Sequence, residues 1–447
     1  MSKTLKRFLI IVVILVVIGL VVYFRLRNLR REAGVFQIGT IWQANSLKSN
    51  NFDLDFSNAS ARVKNGRRGF EKGLATNPVM EEFGEITIPE QFGSHLFTEE
   101  IAELLSGKDV LLTVGATSDE MTMNASMLMN YFSIPMLIPY ADGDLSPEDT
   151  PVNYSIRMTP TAQKYTEFIG ELFSPGYFSI INNYFFQDVA IPDYDMNTAV
   201  FFANNFNGHN TAVSITQKII DNGYNVEIYV PYEQDAEDLE FIIQSLWQSD
   251  PDKMNSIDSV VIIGEDGASM RGLSAVNQSW KNRGMEPLIF LIGFLPDDIE
   301  ADVIDARNVY NIQQALDMEH CPPNITNRSE AMGYAAGYIV SSALYQARQK
   351  QPGEASGLSL FFSSEDSRRE KHQDYLTSYR ENVRSVLLDM NESIPCYGPV
   401  NFDINSDSNI EIELVRYTSS TESQPVGSGI MLDYIMDKVR NEFNLPN

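Results

Sequence analysis

Short apolar runs alternate with segments of helical periodicity along most of this chain, and this alternation constrains the fold more than any other sequence feature. The runs are rich in β-branched residues, which is typical of strands. Together they predict a doubly wound α/β architecture, and 447 residues are enough for two or three domains. The runs form two sets: Val35–Ile41, Gly84–Glu90, Asp109–Ala116 and Ile134–Ala141, then Thr198–Asn204, Asn225–Tyr232, Asp258–Glu265 and Pro287–Phe294.

Helices are predicted between and after these runs from the spacing of apolar side chains. The candidates are Ala61–Leu74, Thr98–Leu105, Asp119–Tyr131, a stripe from Leu239 to Trp247, a stripe from Met332 to Ala347 and a polar helix, Arg368 to Met390. The stripe after Met332 contains Gly333 and Gly337 in a GxxxG spacing. Because Tyr, Ser and Gln interrupt its apolar length, the glycines favour close helix packing in a soluble lobe over a membrane dimer.

The N-terminal segment from Phe8 to Phe24 carries no charge and is flanked by basic residues on both sides. Its 17 residues lie at the short end of what spans a bilayer. A cleaved signal peptide needs a small-residue site after the apolar run, and RLRNLRREAGVF follows instead. We therefore predict an uncleaved anchor, with the signal peptide as the alternative. The basic residues on the two sides of this segment are similar in number, so they do not predict the orientation of the anchor in the membrane.

The charge of the chain argues against a nucleic-acid partner. Lys and Arg number 33, Asp and Glu number 60, and every acidic residue lies at or after Glu32. A body this acidic repels phosphate backbones. The two cysteines, Cys321 and Cys396, are compatible with one disulfide or with two buried thiols.

No catalytic motif is found in the sequence. GxSxG, HExxH, GxxxxGK[ST] and a GxGxxG after a strand are all absent, and the four histidines lack metal-ligand spacing. His320 beside Cys321 has no second pair nearby, so it does not make a zinc site. We predict no catalytic residue, no metal and no cofactor. A hydrolase or transferase with an unusual site remains an alternative.

Four passages, in this order, resemble type I periplasmic binding proteins. They span about Val35 to Tyr417 and read LLTVGATSDEMTMNASMLMNYFSIPMLIPYADGDLS, AVFFANNFNGHNTAVSITQKIIDNGYNVEI, SEAMGYAAGYIVSSALYQA and GPVNFDINSDSN. Each passage by itself matches the family only weakly, whereas the order of the four passages along the chain is more specific for it. The likeness extends to the branched-chain-amino-acid binding proteins of ABC importers and to the extracellular modules of receptors built on the same fold.

The resemblance implies two doubly wound lobes joined by three crossing segments, with the body outside the cytoplasm. It also implies that Cys321 and Cys396 lie close together, because both fall near crossing segments. Ser174 to Asn197 is an insertion without a counterpart in the family. The expected organisation is an anchor and basic stalk (1–34), the first part of lobe 1 (35–160), lobe 2 (161–319), the second part of lobe 1 (320–394), closing strands of lobe 2 (395–417) and a tail with an amphipathic helix (418–447).

A ligand site is predicted where strands end on the two facing walls of the cleft, because open α/β sheets bind ligands at the carboxyl ends of their strands. Thr117 and Ser118 precede a helix, so their hydroxyls and N–H groups are suited to an acceptor group, although simple helix capping explains them equally. Asp142 stands where the family carries small or hydroxyl residues, which disfavours an unmodified amino acid. The full predicted set is Trp42, Thr117, Ser118, Tyr140, Ala141, Asp142, Phe206, Glu265 and Phe294.

The rings in this set suggest a largely apolar or cationic ligand, although single aromatics at such positions often belong to the core. The resemblance implies a membrane-anchored small-molecule-binding protein, the substrate-binding component of an ABC-type importer of amino-acid-like or amine ligands. Its partner would be a membrane permease or a receptor. The alternative is a sensory or protein-interaction module in which ligand binding is altered or lost.

Overall fold

The computed structural model describes residues 36–43, 61–90, 105, 109–115, 117, 119–141, 153–174, 196–233, 236–264, 276, 279–292, 309–350, 365–403, 406–417 and 423–428. The strands are β1 (Gln37–Gln43), β2 (Gly84–Glu90), β3 (Val110–Val114), β4 (Met136–Ile138), β5 (Ser155–Arg157), β6 (Asn197–Ala203), β7 (Asn225–Tyr232), β8 (Ser259–Ile263), β9 (Leu288–Ile292), β10 (Val309–Gln314), β11 (Asn391–Ile394), β12 (Gly398–Asn401), β13 (Ile412–Tyr417) and β14 (Ser423–Ser428). The α-helices are α1 (Ala61–Leu74), α2 (Asp119–Tyr131), α3 (Ala162–Leu172), α4 (Phe206–Asp221), α5 (Ala236–Ser249), α6 (Pro251–Asn255), α7 (Arg328–Lys350) and α8 (Glu365–Leu388).

Lobe 1 is built on a parallel sheet of five strands in the order β2-β1-β3-β4-β5. Strands β3 and β4 are buried along their whole length, because helices cover both faces of the sheet. One face packs against α1, α7 and α8, and the other against α2. The alternation of short apolar strands and helices therefore gives the doubly wound lobe that it predicts.

Helices α1 and α7 of lobe 1 pack backbone to backbone through glycines on both helices. A Cβ at Gly333 would lie 1.9 Å from the carbonyl oxygen of Gly66, and a Cβ at Gly337 would lie 2.3 Å from that of Phe70. A Cβ at Gly69 would lie 2.0 Å from the carbonyl oxygen of Glu330. The GxxxG spacing thus marks close helix packing inside a lobe, as predicted.

Lobe 2 is built on a sheet of seven strands in the order β14-β13-β10-β9-β8-β6-β7. Its five parallel strands repeat the arrangement of lobe 1, with β6 between β7 and β8, and β13 and β14 extend the sheet in the antiparallel sense. Helices α3 and α4 cover one face, and α5 and α6 cover the other. The molecule therefore contains two α/β lobes of the same winding.

The chain crosses between the lobes three times. The first crossing joins β5 to α3, the second joins β10 to α7, and the third runs from β12 to β13. Cys321 in the second crossing forms a disulfide with Cys396, which lies in the turn between β11 and β12; the two Cα atoms are 4.4 Å apart. The cysteines expected to be close are thus covalently joined.

The lobe boundaries near the C-terminus differ from the prediction. The hairpin β11–β12 belongs to lobe 1, because Val400 and Phe402 are buried in its core, so only β13 of the range 395–417 closes lobe 2. Strand β14 lies within the range predicted as a tail, 418–447, and pairs with β13. The alternation of apolar and polar residues in a sequence can indicate a strand, but it does not indicate which edge of which sheet the strand joins. The amphipathic helix predicted in that tail lies outside the described residues.

Among the described residues, no helix combines the length and apolarity needed to cross a bilayer. The predicted anchor, Phe8 to Phe24, and the basic stalk after it lie outside the described residues, as does most of the helix expected at Thr98–Leu105.

Candidate ligand-binding cleft

The carboxyl ends of both parallel sheets meet at the crossing segments. Strand β5 ends at Arg157 and leads directly into the first crossing, and β10 ends at Gln314 and leads into the second. The third crossing arrives at the same edge, because Ala315 N–H donates to the Glu411 carbonyl over 2.8 Å just before β13 begins. Since ligands of open α/β sheets bind at the carboxyl ends, this region between the lobes is the candidate site.

Each lobe offers a switch point at this edge, where the strand order reverses. In lobe 1 it lies between β1 and β3, and in lobe 2 between β6 and β8. Crevices outside such points are where this type of sheet holds its ligands. The predicted Trp42 and Thr117 fall at the first switch point, and Phe206 and Glu265 follow the strands of the second.

The turn after β3 depends on Gly115. Its φ is +118°, a conformation that side chains with a Cβ rarely adopt, and a Cβ would lie 2.2 Å from the Ile41 carbonyl oxygen. This close approach brings the end of β3 against β1. Thr117 follows and is buried, and Ser118 lies outside the described residues.

Trp42 and Tyr140 lie in the core behind the strand ends. Trp42 is 0% exposed and Tyr140 is 5% exposed. The Trp42 ring lies 6.1 Å, between ring centroids, from both Phe70 and Tyr140, and the Tyr140 hydroxyl donates to the Ser329 carbonyl over 3.0 Å. These two rings therefore pack against Phe70 of α1 and the start of α7, and they offer little area to a ligand in this arrangement. The indole Nε1 of Trp42 is buried without a hydrogen-bond partner in the described part of the chain.

Ala141 connects the end of β4 to the first crossing. Its carbonyl oxygen accepts a hydrogen bond from the Thr159 hydroxyl, and its own surface is buried. Ala141 thus contributes backbone to the wall and holds the crossing in place. The predicted Asp142 comes next and lies outside the described residues.

On lobe 2, helix α4 begins directly after β6 and directs its N-terminus toward the same edge. Asn205 caps the helix, because its side-chain oxygen accepts from Gly208 N–H over 2.7 Å. The preceding Asn204 donates to Glu233 over 2.8 Å. Phe206 is the first residue of α4, and its side chain is outside the described set, as are Glu265 and Phe294. Sequence reasoning missed Asn205, although an Asn after a strand is a helix-start signal.

Arg157 at the end of β5 also escaped sequence reasoning. It is 5% exposed, its Nε lies 3.4 Å from an Asp407 carboxylate oxygen, and its backbone bonds to both Ser406 and Ser408. It joins the first crossing to the third. The signal in the sequence is slight, a charged residue between Ile156 and Met158.

Glu330, near the start of α7, carries a carboxyl group whose pKa is strongly lowered. Burial by itself would raise its pKa, but hydrogen bonds from Arg68 and Lys72 outweigh that effect and lower the pKa to about 2. The side chain is 1% exposed. Glu330 therefore stays ionised and ties α1 to the start of α7.

The described residues contain no group of three or more His, Cys, Asp or Glu side chains placed to hold a metal ion. Their polar groups at the strand ends consist mainly of hydroxyls, amides and helix N–H groups. Such groups suit reversible hydrogen bonding to a small molecule.

No protein-family model and no curated protein matches this chain in sequence. Solved structures match in fold. A leucine-binding protein from Thermotoga maritima is 13% identical, with a TM-score of 0.58, over 88% of this chain and 98% of its own. A branched-chain amino acid transporter substrate-binding protein from Streptococcus pneumoniae, solved with isoleucine, is 12% identical, with a TM-score of 0.58, over 88% and 99%.

A third match is an ABC transporter solute-binding protein from R. palustris, solved with benzoate. It is 12% identical, with a TM-score of 0.60, over 88% of this chain and 96% of its own. All three similarities extend across both lobes and nearly the whole of the matched chains. The chain therefore has the two-lobed α/β fold of type I periplasmic binding proteins.

Proposed function

We propose that this protein binds a small molecule between its lobes and passes it to a membrane permease as the substrate-binding component of an ABC-type importer. The observation that carries the proposal is that the carboxyl ends of both sheets meet at the three crossings, with a switch point in each lobe. The solved proteins that share this fold include ABC transporter substrate-binding and solute-binding proteins in complex with leucine, isoleucine and benzoate. Their role favours a binding protein over an enzyme.

The proposed ligand carries a positive charge or a hydrogen-bond-donating group. Asp142 and Glu265 follow strands that end at the cleft, and acidic side chains there would repel a bare carboxylate. Thr117, Ser118 and the N-terminus of α4 supply groups to orient the polar end of the ligand. Phe206 and Phe294 remain the candidate ring contacts, since Trp42 and Tyr140 are in the core.

We further propose that Phe8 to Phe24 holds the protein at the membrane with its body on the extracytoplasmic side. This rests on the uncharged apolar run and on the fold, whose solved members include transporter solute-binding proteins. Membrane fractions of cells that express the full chain should retain it after a carbonate wash, and the chain that starts at Val35 should be soluble. Retention of the shorter chain would exclude a single anchor.

Native mass spectrometry of the purified full chain in detergent tests ligand binding directly, by detecting co-purified small molecules. Calorimetric titration with amines, amino acids, neutral amides and benzoate then identifies the class, and small-angle scattering reports lobe closure. Asp142→Asn should weaken the binding of a cationic ligand about tenfold, a loss of about 1.4 kcal/mol. Glu240→Gln, on an exposed position of α5, is the matched control and should leave affinity unchanged. Unchanged binding in a variant altered at Ser118, Asp142 and Phe206 together would place the site elsewhere.

A sensory or interaction module is the second candidate. The observation that favours it is the burial of Trp42 and Tyr140, which removes ring area from the lobe 1 wall. In that case no compound of the panel would bind or change the scattering profile. A partner protein would instead bind with the same affinity to the Asp142→Asn variant and to the unaltered chain.

A further inference from the structure

A sheltered ion pair joins the two lobes beside the second crossing. Arg328 Nη2 lies 3.0 Å from Glu413 Oε1, and each side chain is only 15% exposed. Arg328 is the first residue of α7, whereas Glu413 lies on β13. The pair therefore connects a helix of lobe 1 to a strand of lobe 2.

The two partners are fixed to different lobes. Helix α7 packs along α1 in the core of lobe 1, and the Cys321–Cys396 disulfide ties the segment just before it to the hairpin β11–β12 of the same lobe. Arg328 must therefore move with lobe 1. Strand β13 pairs with β10 along its length in the sheet of lobe 2, so Glu413 moves with lobe 2.

Both side chains are also held in position by neighbouring polar groups of lobe 2. Gln313 donates to Glu413 Oε1 over 2.9 Å, and Asn311 donates to Gln313 over 2.7 Å. The guanidinium of Arg328 donates a second hydrogen bond to the carbonyl of Gln314, the last residue of β10. A pair with both ends oriented in this way loses less side-chain entropy when it forms than a flexible surface pair does.

We propose that the Arg328–Glu413 pair is a latch that stabilises the lobe orientation of this structure against other orientations. Rotation of one lobe about the crossings changes the distance between the two charges, because neither can follow the other. Bonds within one lobe do not respond to such a rotation. The latch acts without a ligand, so it goes beyond the proposed function. The two proposals can therefore be tested independently of each other.

Distances between spin labels on the full chain in detergent test the latch. Tyr345→Cys on lobe 1 and Phe241→Cys on lobe 2 provide exposed attachment sites, and no free cysteine occurs among the described residues. Glu413→Gln keeps the shape of the side chain and removes its charge. We expect the ratio of other lobe orientations to the present one to rise about threefold to fivefold, as a broader or displaced distance distribution.

Arg328→Gln should shift the distribution in the same direction. The double variant should shift it no further than Arg328→Gln alone, because that change already removes both the ion pair and the hydrogen bond to Gln314. Glu227→Gln is the matched control, since Glu227 pairs with Lys253 over 3.7 Å within lobe 2. Circular dichroism of each variant checks that the lobes are folded. If Arg328→Gln does not fold, Arg328→Lys, which retains the charge, provides a second test. A distribution unchanged by Glu413→Gln, or additive shifts in the double variant, would overturn the latch.

Discussion

The main helix pairs of the two lobes are packed by different means. In lobe 1, α1 and α7 meet through glycines, so that a Cβ at Gly333 would lie 1.9 Å from a backbone oxygen. In lobe 2, α3 and α4 meet through side chains: a Cβ at Gly170 would lie 3.3 Å from the Lys218 side chain, and Asn222 donates to the Gly170 carbonyl over 2.7 Å. The first interface has no atom that can give way, whereas the second can relax through a flexible side chain.

This difference predicts that lobe 1 is the less tolerant lobe. Close-packed backbones transmit any added volume as a shift of whole helices, whereas a flexible side chain can adopt another rotamer. The lobe 1 interface also contains the buried Glu330, whose carboxylate forms ion pairs with Arg68 and Lys72 of α1. A neutral side chain at this position would lose both ion pairs.

The largest effect is expected for Gly333→Ala. The added methyl group collides with the Gly66 carbonyl, so α1 and α7 must separate, and the unfolding free energy of lobe 1 should fall by about 3 kcal/mol or more. Hydrogen exchange measured peptide by peptide should show faster exchange in α1 and α7, with lobe 2 unchanged. Equal protection in the variant and the unaltered chain would refute a rigid interface.

For Glu330→Gln we expect a smaller decrease in the free energy of unfolding, about 2 kcal/mol at pH 7. The pKa of Glu330 is lowered to about 2, so the stability from its ionised form is fully present above about pH 4.5 and is lost as the pH falls toward 2. The difference between variant and unaltered chain in urea unfolding should therefore shrink across that range. Glu71→Gln is the control: Glu71 pairs with Arg67 on the exposed side of α1, and its loss should cost less than about 0.5 kcal/mol. A pH-independent difference would contradict the assignment.

The smallest effect is expected for Gly170→Ala, which is the same substitution as in the first prediction but made in lobe 2. The contact with Lys218 is relieved by movement of that side chain, and alanine favours the helix, so stability should change by less than about 1 kcal/mol in either direction. Thermal unfolding of the variant and of the unaltered chain measures this change in stability. A loss as large as that of Gly333→Ala would remove the difference between the two interfaces.

Several elements follow from local sequence alone. Helices α1 and α2 have the predicted bounds, and each of the eight predicted runs overlaps a strand that begins or ends within about two residues of it, since apolar periodicity and strand-forming residues are local properties. The close packing at Gly333 and Gly337 was also predicted, because glycines four residues apart lie on one face of a helix and Tyr, Ser and Gln make this helix too polar for a membrane dimer.

Strand β10 was missed because its sequence carries Asn311, Gln313 and Gln314 rather than an apolar run. These side chains are buried and bond to one another, to Glu413 and to Met332, partners far away in the chain. Strand β12 was placed among the closing strands of lobe 2, and strand β14 falls in the range predicted as a tail, for a similar reason, since the choice of a sheet edge is a non-local event.

For the candidate site, the sequence by itself determined which strand ends carry polar and aromatic residues, because a strand and its end are recognisable locally. Only the tertiary structure decided that Trp42 and Tyr140 turn into the core, where Phe70 and the start of α7 receive them. It also decided that Arg328 meets Glu413 and that Cys321 meets Cys396. These contacts join residues that are distant in sequence, and their geometry exists only after both lobes and all three crossings have formed.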